Sequence, residues 1–129
     1  MPARSRTVYV IDDEGSVRAA LAGLLRSARF TVQTFSSANE FLSGPRREQD
    51  ACIILDLSMP GIHGFDFQKG LRARGVTLPV IILSATGDEP VRAYARHLGA
   101  TAFFQKPVDD QALLDAVAWA IEGATPCPK

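Results

Sequence analysis

Three aspartates, a serine and a lysine stand at or just past the ends of short apolar runs in this sequence. They are Asp12 and Asp13 after the run 8–11, Asp56 after 52–55, Ser84 after 80–83, and Lys106 beyond the weaker run 102–104. If these runs are neighbouring parallel strands, their carboxyl ends lie at one edge of the sheet, where open α/β folds place their sites. Carboxylates that repel one another are rarely gathered without a compensating charge, so the pattern predicts a site for a divalent metal.

The composition is that of an ordinary globular domain. The 129 residues are about one domain long, and 47% of them are apolar and 22% charged. The formal net charge is zero, so the chain lacks the basic footprint of a nucleic-acid-binding domain. No apolar stretch reaches the ~18 residues of a membrane helix, and residues 1–4 lack the apolar core of a signal peptide. We therefore expect a cytoplasmic protein without a membrane partner.

Strand-like and helix-like segments alternate along the chain, which is typical of a parallel sheet with crossover helices. The pattern predicts strands over Thr7–Asp12, Thr31–Phe35, Ala51–Leu57, Leu78–Leu83 and Ala102–Gln105. The predicted helices are a segment with apolar residues from Val17 to Ala28, a short helix from a Ser37 cap through Leu42, a helix ending near Arg74, a helix ending before Gly99, and a last helix from an Asp109 cap to near Glu122.

Five units of a strand and a helix fit a doubly wound parallel sheet in the order 2-1-3-4-5. In that order strands 1 and 3 flank the point where the winding reverses, which places Asp12 and Asp13 beside Asp56. Strands 4 and 5 then supply Ser84 and Lys106. The predicted topology thus brings all five polar residues to one edge.

The same residues, together with two short motifs, carry a family resemblance. An acidic pair follows the first strand, Asp56 ends the third, the turn Met59-Pro60-Gly61 comes next, and Lys106 and Pro107 follow the fifth. With these features in order, residues 7–122 resemble the receiver domain of bacterial two-component response regulators. The resemblance implies a flavodoxin-like fold of five parallel strands and five helices, and a phosphorylation-activated switch in signal transduction.

Three further segments resemble the subgroup of receivers that is linked to LuxR-type DNA-binding domains. These segments are 8–14, 24–28 and 36–42. We expect the receiver domain to cover residues 1–122, and residues 123–129 to form a tail or the start of a linker. The resemblance also implies that a DNA-binding effector domain could follow Lys129, so that the output would be transcription.

The resemblance implies a role for each residue of the predicted site. Asp56 would take a phosphoryl group from a sensor histidine kinase and form an aspartyl phosphate with the help of Mg²⁺. The metal ligands would be the side chains of Asp13 and Asp56, the backbone carbonyl of Ser58 and, mainly through water, Asp12. Lys106 would pair with a phosphoryl oxygen as a mobile point charge.

Two residues would act as the switch that reports phosphorylation. The Ser84 hydroxyl would move toward a phosphoryl oxygen, and the Phe103 ring would then pack inward. Pro107 would carry a cis peptide bond that orients Lys106. The change would be read on the face made by helix 4, strand 5 and helix 5, where opposite charges could pair in a weak, phosphorylation-dependent homodimer. The chain would catalyse only its own phosphoryl transfer and slow dephosphorylation, and would not itself bind nucleic acid.

Other classes of protein share parts of this pattern. A haloacid-dehalogenase-like phosphatase needs a second aspartate two residues after the nucleophile, where this chain has Ser58, which cannot act as a general acid. A flavodoxin-like electron carrier needs a phosphate-binding loop after strand 1, where Asp12 and Asp13 would repel the phosphate, and the sequence has no P-loop motif. A receiver-like interaction module without phosphorylation would more naturally have lost one of these groups. The role of His63, which stands where the family often has an acidic or small polar residue, is left open.

Overall fold

The structure, a computed structural model, describes residues 6–44, 49–56, 62–85, 87 and 89–122. The strands are β1 (Thr7–Ile11), β2 (Thr31–Phe35), β3 (Ala51–Asp56), β4 (Val80–Ser84) and β5 (Ala102–Gln105). The helices are α1 (Gly15–Ser27), α2 (Ala38–Ser43), α3 (Ile62–Ala73), α4 (Glu89–His97) and α5 (Asp110–Ile121). All strand pairs are parallel, in the order β2-β1-β3-β4-β5, which confirms the predicted doubly wound fold.

The central strand β3 is buried along its whole length. Continuous apolar runs of this kind form strands that are covered on both faces, because helices pack on each side of a parallel sheet. Cys52 and Ile54 face a core cluster with α1 and α5, whereas Ile53 and Leu55 face a second cluster with α2, α3 and α4. Burial raises the pKa of the Cys52 thiol to about 12.

Two predicted helix caps are confirmed by their hydrogen bonds. The Ser37 hydroxyl accepts a hydrogen bond from the Glu40 backbone N–H at 3.1 Å, at the start of α2. The Asp109 carboxylate accepts one from the Ala112 N–H at 2.9 Å, at the start of α5. After α4, Gly99 has a φ of +99°, the left-handed region that glycine adopts readily at helix ends.

The start of β4 differs from the prediction. The strand begins at Val80 rather than Leu78, and it extends one residue further than predicted, to Ser84. Pro79 has no backbone N–H and cannot donate to the sheet, although its carbonyl accepts a hydrogen bond from the Ile53 N–H at 2.9 Å. The ladder therefore becomes regular only after the proline.

Some predicted features fall on residues that the structure does not describe. They are the turn at Met59-Pro60-Gly61, the carbonyl of Ser58, the side chain of His63, and the tail 123–129. No helix within the described ranges combines the length and the apolar character that crossing a membrane requires.

Candidate functional site

The carboxyl ends of β3, β4 and β5 bring the predicted reactive residues to one edge of the sheet. Asp56 and Ser84 are the last residues of β3 and β4, and both are buried. The register pairs Asp56 with Leu83 and Ser84 with Gln105, so the three strands end at nearly the same level. The backbone N–H of Lys106 donates a hydrogen bond to the Ser84 carbonyl at 2.7 Å, which fixes the lysine beside this edge.

Lys106 and Asp56 form an ion pair. The Lys106 ammonium contacts Oδ2 of Asp56, whose side chain is only 1% exposed, while the lysine side chain is 27% exposed. The peptide bond between Lys106 and Pro107 is cis. A buried carboxylate needs an opposite charge or hydrogen-bond donors in contact with it. Lys106 supplies that charge and still reaches the surface.

Asp12 is the second buried carboxyl group at this edge. It follows β1, which ends at Ile11, one residue earlier than predicted. Its Oδ1 accepts a hydrogen bond from the Glu14 backbone N–H at 2.8 Å. Burial, followed by the neighbouring Asp56 carboxyl group, raises the pKa of Asp12 to about 7. The two carboxyl groups therefore share one ammonium and oppose each other's ionisation.

The arrangement fits a hard divalent cation such as Mg²⁺. Oδ2 of Asp12 is buried and has no hydrogen-bond partner among the described residues. A bound cation would give this oxygen a partner and offset the second carboxylate, and carboxylate oxygens are the ligands Mg²⁺ prefers. Asp13 is exposed, and the described part of the chain holds no group of three His, Cys, Asp or Glu side chains close enough to form a metal centre. Two of the three predicted carboxylates thus come together, and the ligand role of Asp13 stays a prediction.

Phe103 lies half-buried in β5 against the cluster with α2, α3 and α4, while Phe104 packs against the opposite cluster. The Arg92 guanidinium carbon lies 4.9 Å from the centroid of the Phe103 ring. Arg92 also donates a hydrogen bond from Nε to the Gly87 carbonyl at 2.9 Å. This contact is not predictable from the sequence, because no spacing rule links an arginine on α4 to an aromatic residue on β5.

Arg18 is a residue that the sequence analysis missed. It lies half-buried on α1 and donates a hydrogen bond from Nη1 to the Asp12 carbonyl at 2.6 Å. The bond joins the first turns of the helix to the end of β1. A positive side chain six residues after Asp12 is the only signal in the sequence that could have suggested it.

A groove of about 550 Å³ runs beside Lys106, between α1 and the start of α5. Most of its lining is apolar and includes Val17, Ala20, Leu21, Leu24, Pro107 and Val108. The reactive edge of the sheet therefore adjoins an apolar surface large enough to receive side chains of another molecule.

Comparison with known proteins identifies the class to which this fold and site belong. The family model of the response regulator receiver domain matches residues 8–118. The chain belongs to this family, so the predicted family is confirmed.

The similar proteins include transcriptional regulators. The chain is 46% identical over 111 residues to the transcriptional regulatory protein TdiR of Thauera aromatica, covering 86% of this chain and 49% of TdiR. It is 42% identical over 113 residues to the transcriptional regulatory protein FixJ of Azorhizobium caulinodans, covering 88% of this chain and 54% of FixJ. The chain thus spans about half the length of these relatives.

Two solved structures show the same fold. The crystal structure of FixJ-N superposes with a TM-score of 0.83 at 30% identity, covering 97% of this chain and 100% of that one. The structure of the response regulator StyR gives a TM-score of 0.81 at 43% identity, covering 92% of this chain and 60% of that one.

Proposed function

We propose that this receiver domain is a signalling switch that is activated when Asp56 accepts a phosphoryl group from a histidine kinase in the presence of Mg²⁺. One observation carries the proposal: a buried Asp56 carboxylate is paired with Lys106, beside a second buried carboxyl group, Asp12, whose Oδ2 has no hydrogen-bond partner among the residues that the structure describes. A carboxylate in contact with a lysine and next to a metal site suits phosphoryl transfer, which depends on charge neutralisation and positioning.

The transfer is a displacement at phosphorus. A carboxylate oxygen of Asp56 forms a bond to phosphorus, and the bond from phosphorus to the donor nitrogen or oxygen breaks, with its electron pair leaving on the donor. Lys106 is paired with Asp56 in the resting structure. During transfer its ammonium group moves to pair with a phosphoryl oxygen. Asp13, Asp56 and the Ser58 carbonyl, together with Asp12 through water, would hold Mg²⁺, and the bound cation would offset the charge of the incoming phosphoryl group. The activity ends with this single transfer and with slow hydrolysis of the aspartyl phosphate, in which water takes the phosphoryl group as inorganic phosphate and the Asp56 carboxylate is regenerated.

The switch follows from what lies next to the phosphorylated carboxylate. Ser84 ends the strand beside Asp56 in the sheet, and its hydroxyl hydrogen-bonds the new phosphoryl group. Its shift leaves room that the Phe103 ring fills, because packed interiors rearrange between discrete states. The face made by α4, β5 and α5 changes, two copies pair weakly through it, and a DNA-binding effector domain beyond Lys129 carries the output to transcription. The transcriptional regulators TdiR and FixJ, which are about twice as long as the matched region, support this reading.

The groove beside Lys106 suits a protein phosphodonor, whose apolar side chains can occupy it, better than a small-molecule phosphodonor. The groove is lined mainly by apolar residues of α1 and by residues around Pro107 and Val108. A kinase domain that places apolar side chains there holds its phosphohistidine next to Asp56. The histidine kinase is therefore the partner that we assign to this surface.

Incubation with acetyl phosphate and Mg²⁺ tests the reaction, with intact-protein mass as the readout. We expect one added phosphoryl group on the wild type and none on Asp56→Asn. Asp115→Asn, an exposed position on α5, is the matched control and is phosphorylated like the wild type. Phosphorylation of the Asp56→Asn variant at the wild-type rate would contradict the assignment of the acceptor.

A further inference from the structure

Arg92 joins two parts of the structure that are far apart in the sequence. Its Nε donates a hydrogen bond to the Gly87 carbonyl at 2.9 Å, and its guanidinium carbon lies 4.9 Å from the Phe103 ring centroid. The second distance is within the ~6 Å range of an attractive cation–π contact. One side chain therefore holds both the backbone after β4 and the aromatic ring on β5.

The neighbourhood of Gly87 is tightly packed. A Cβ atom placed on this glycine would lie 2.8 Å from Cδ of Gln105 and 3.1 Å from Nη2 of Arg92. Gln105 pairs with Ser84 across the β4–β5 register and directly precedes Lys106. The ends of the Gln105 and Arg92 side chains therefore lie directly against Gly87, and the Arg92 hydrogen bond to the Gly87 carbonyl ties this part of the backbone to α4.

Arg92 is unlike the other arginine in its helix. Arg96 forms an ion pair with Glu89 at 3.0 Å, and both side chains are mostly exposed, at 59% and 72%. Exposed pairs of this kind contribute little to stability. Arg92 is half-buried and contacts a backbone carbonyl and an aromatic face instead. Arg96 is therefore a matched control for the removal of a positive charge from α4.

We propose that Arg92 is a positioning residue that stabilises the resting arrangement of the backbone after Ser84 and of the Phe103 ring. The inference rests on the proposed function, in which these two groups move when Asp56 is phosphorylated. A shift of the backbone after Ser84 stretches the hydrogen bond to Gly87, and rotation of Phe103 removes the ring from the guanidinium. Arg92 therefore favours the unphosphorylated state, and its loss shifts the population toward the active state before any phosphoryl group is added.

The experiment measures the affinity of the Mg²⁺-loaded full chain for beryllofluoride, a phosphoryl mimic, by calorimetry, together with the rate of phosphorylation by acetyl phosphate. For Arg92→Ala we expect about a 3- to 10-fold gain in both, the size of effect that loss of a cation–π contact and one hydrogen bond gives. Arg92→Lys keeps a cation near the ring but loses the Nε donor, so its affinity and its rate fall between those of the wild type and those of Arg92→Ala. Arg96→Ala behaves like the wild type.

A second measurement keeps the two proposals apart. Amide hydrogen exchange without any phosphoryl mimic reports the resting state alone, and Arg92→Ala speeds exchange near residues 87 and 103 relative to Arg96→Ala. If the wild type binds no beryllofluoride but this difference is present, the proposed function fails and the holding role of Arg92 stands. If the wild type binds beryllofluoride while Arg92→Ala matches Arg96→Ala in affinity, rate and exchange, the inference about Arg92 is wrong. Arg92→Lys provides the same comparison should the alanine variant not fold.

Discussion

Replacing Asp12 by asparagine is expected to stabilise the metal-free protein at pH 8. The Asp12 carboxyl group is buried and lies next to the Asp56 carboxyl group, and its pKa rises from 3.8 to about 7. Each pH unit of that difference corresponds to about 1.4 kcal/mol, so the ionised Asp12 side chain lowers the free energy of unfolding by up to about 4 kcal/mol above pH 7. Asparagine has nearly the same shape, carries no charge, and can donate a hydrogen bond to Asp56.

The pH dependence has a defined sign. Between pH ~4 and ~7 the folded protein binds more protons at Asp12 than the unfolded chain does, so the free energy of unfolding falls as the pH rises through this window. Asp12→Asn has no ionisable group at this position, so its free energy of unfolding does not fall for this reason as the pH rises. The two proteins are therefore expected to differ by about 1 kcal/mol or less at pH 4.5, and by about 2–4 kcal/mol in favour of the variant at pH 8.

Urea denaturation followed by far-ultraviolet circular dichroism, in EDTA at both pH values, measures this difference. Asp13→Asn is the matched control, because Asp13 is the adjacent residue and is exposed. Saturating Mg²⁺ reduces the difference in free energy of unfolding between Asp12→Asn and the wild type, since the wild type gains binding energy that the variant lacks. A variant that is less stable than the wild type at pH 8 in EDTA, or a gap of equal size at both pH values, would refute this account of the buried carboxyl pair.

Three other outcomes are expected. Asp13→Ala weakens Mg²⁺ binding in calorimetry more than Asp12→Ala does, because Asp13 is the proposed direct ligand; equal affinities for wild type and Asp13→Ala would remove it from the ligand set. Ala20→Asp places a charge in the groove beside α1 and slows phosphotransfer from a histidine kinase by about tenfold or more, but it leaves phosphorylation by acetyl phosphate unchanged. The control Ala19→Asp, at an exposed position of the same helix, changes neither reaction. If Ala20→Asp slows both reactions, the groove is not a docking site for the kinase. Light scattering detects a monomer that dimerises weakly when beryllofluoride is added, and a protein that stays monomeric at high concentration would show that the α4–β5–α5 face does not pair.

The sequence sufficed for the fold because burial on both faces leaves a strong local signal. The ends of the buried strands β3 and β4 place Asp56 and Ser84 at the expected edge. The bounds of β2 and β5 are also those predicted, although these edge strands are partly exposed, because β-branched and aromatic residues favour strands. The start of β4 was misplaced because Pro79 interrupts the donors of an otherwise apolar run. Asp12 and Asp13 were both expected beside Asp56; Asp12 is buried there, whereas Asp13 is exposed and its ligand role stays a prediction.

The contacts of the two arginines could not be predicted from local patterns. Arg18 reaches the Asp12 carbonyl and Arg92 reaches Phe103 only after helices have packed on the sheet. Long cationic side chains have many rotamers, and which carbonyl or ring they contact depends on the packing of distant segments. Sequence patterns therefore brought the proposed site residues together but did not reveal the arginines that contact their neighbourhood.

The reactivity of the Cys52 thiol reports how often the core around the central strand β3 opens. Only a thiolate reacts quickly with an alkylating reagent, and this sulfur is fully enclosed, with its pKa raised to about 12. If Cys127, the other cysteine of the sequence, is replaced by serine, modification requires the core around Cys52 to open, and the rate of modification measures how often it opens. Asp56 ends the same strand four residues later. Binding of metal and a phosphoryl mimic at the acidic edge should therefore lengthen the lifetime of the unmodified thiol by the factor 1 + L/Kd, where L is the free concentration of the mimic and Kd its dissociation constant.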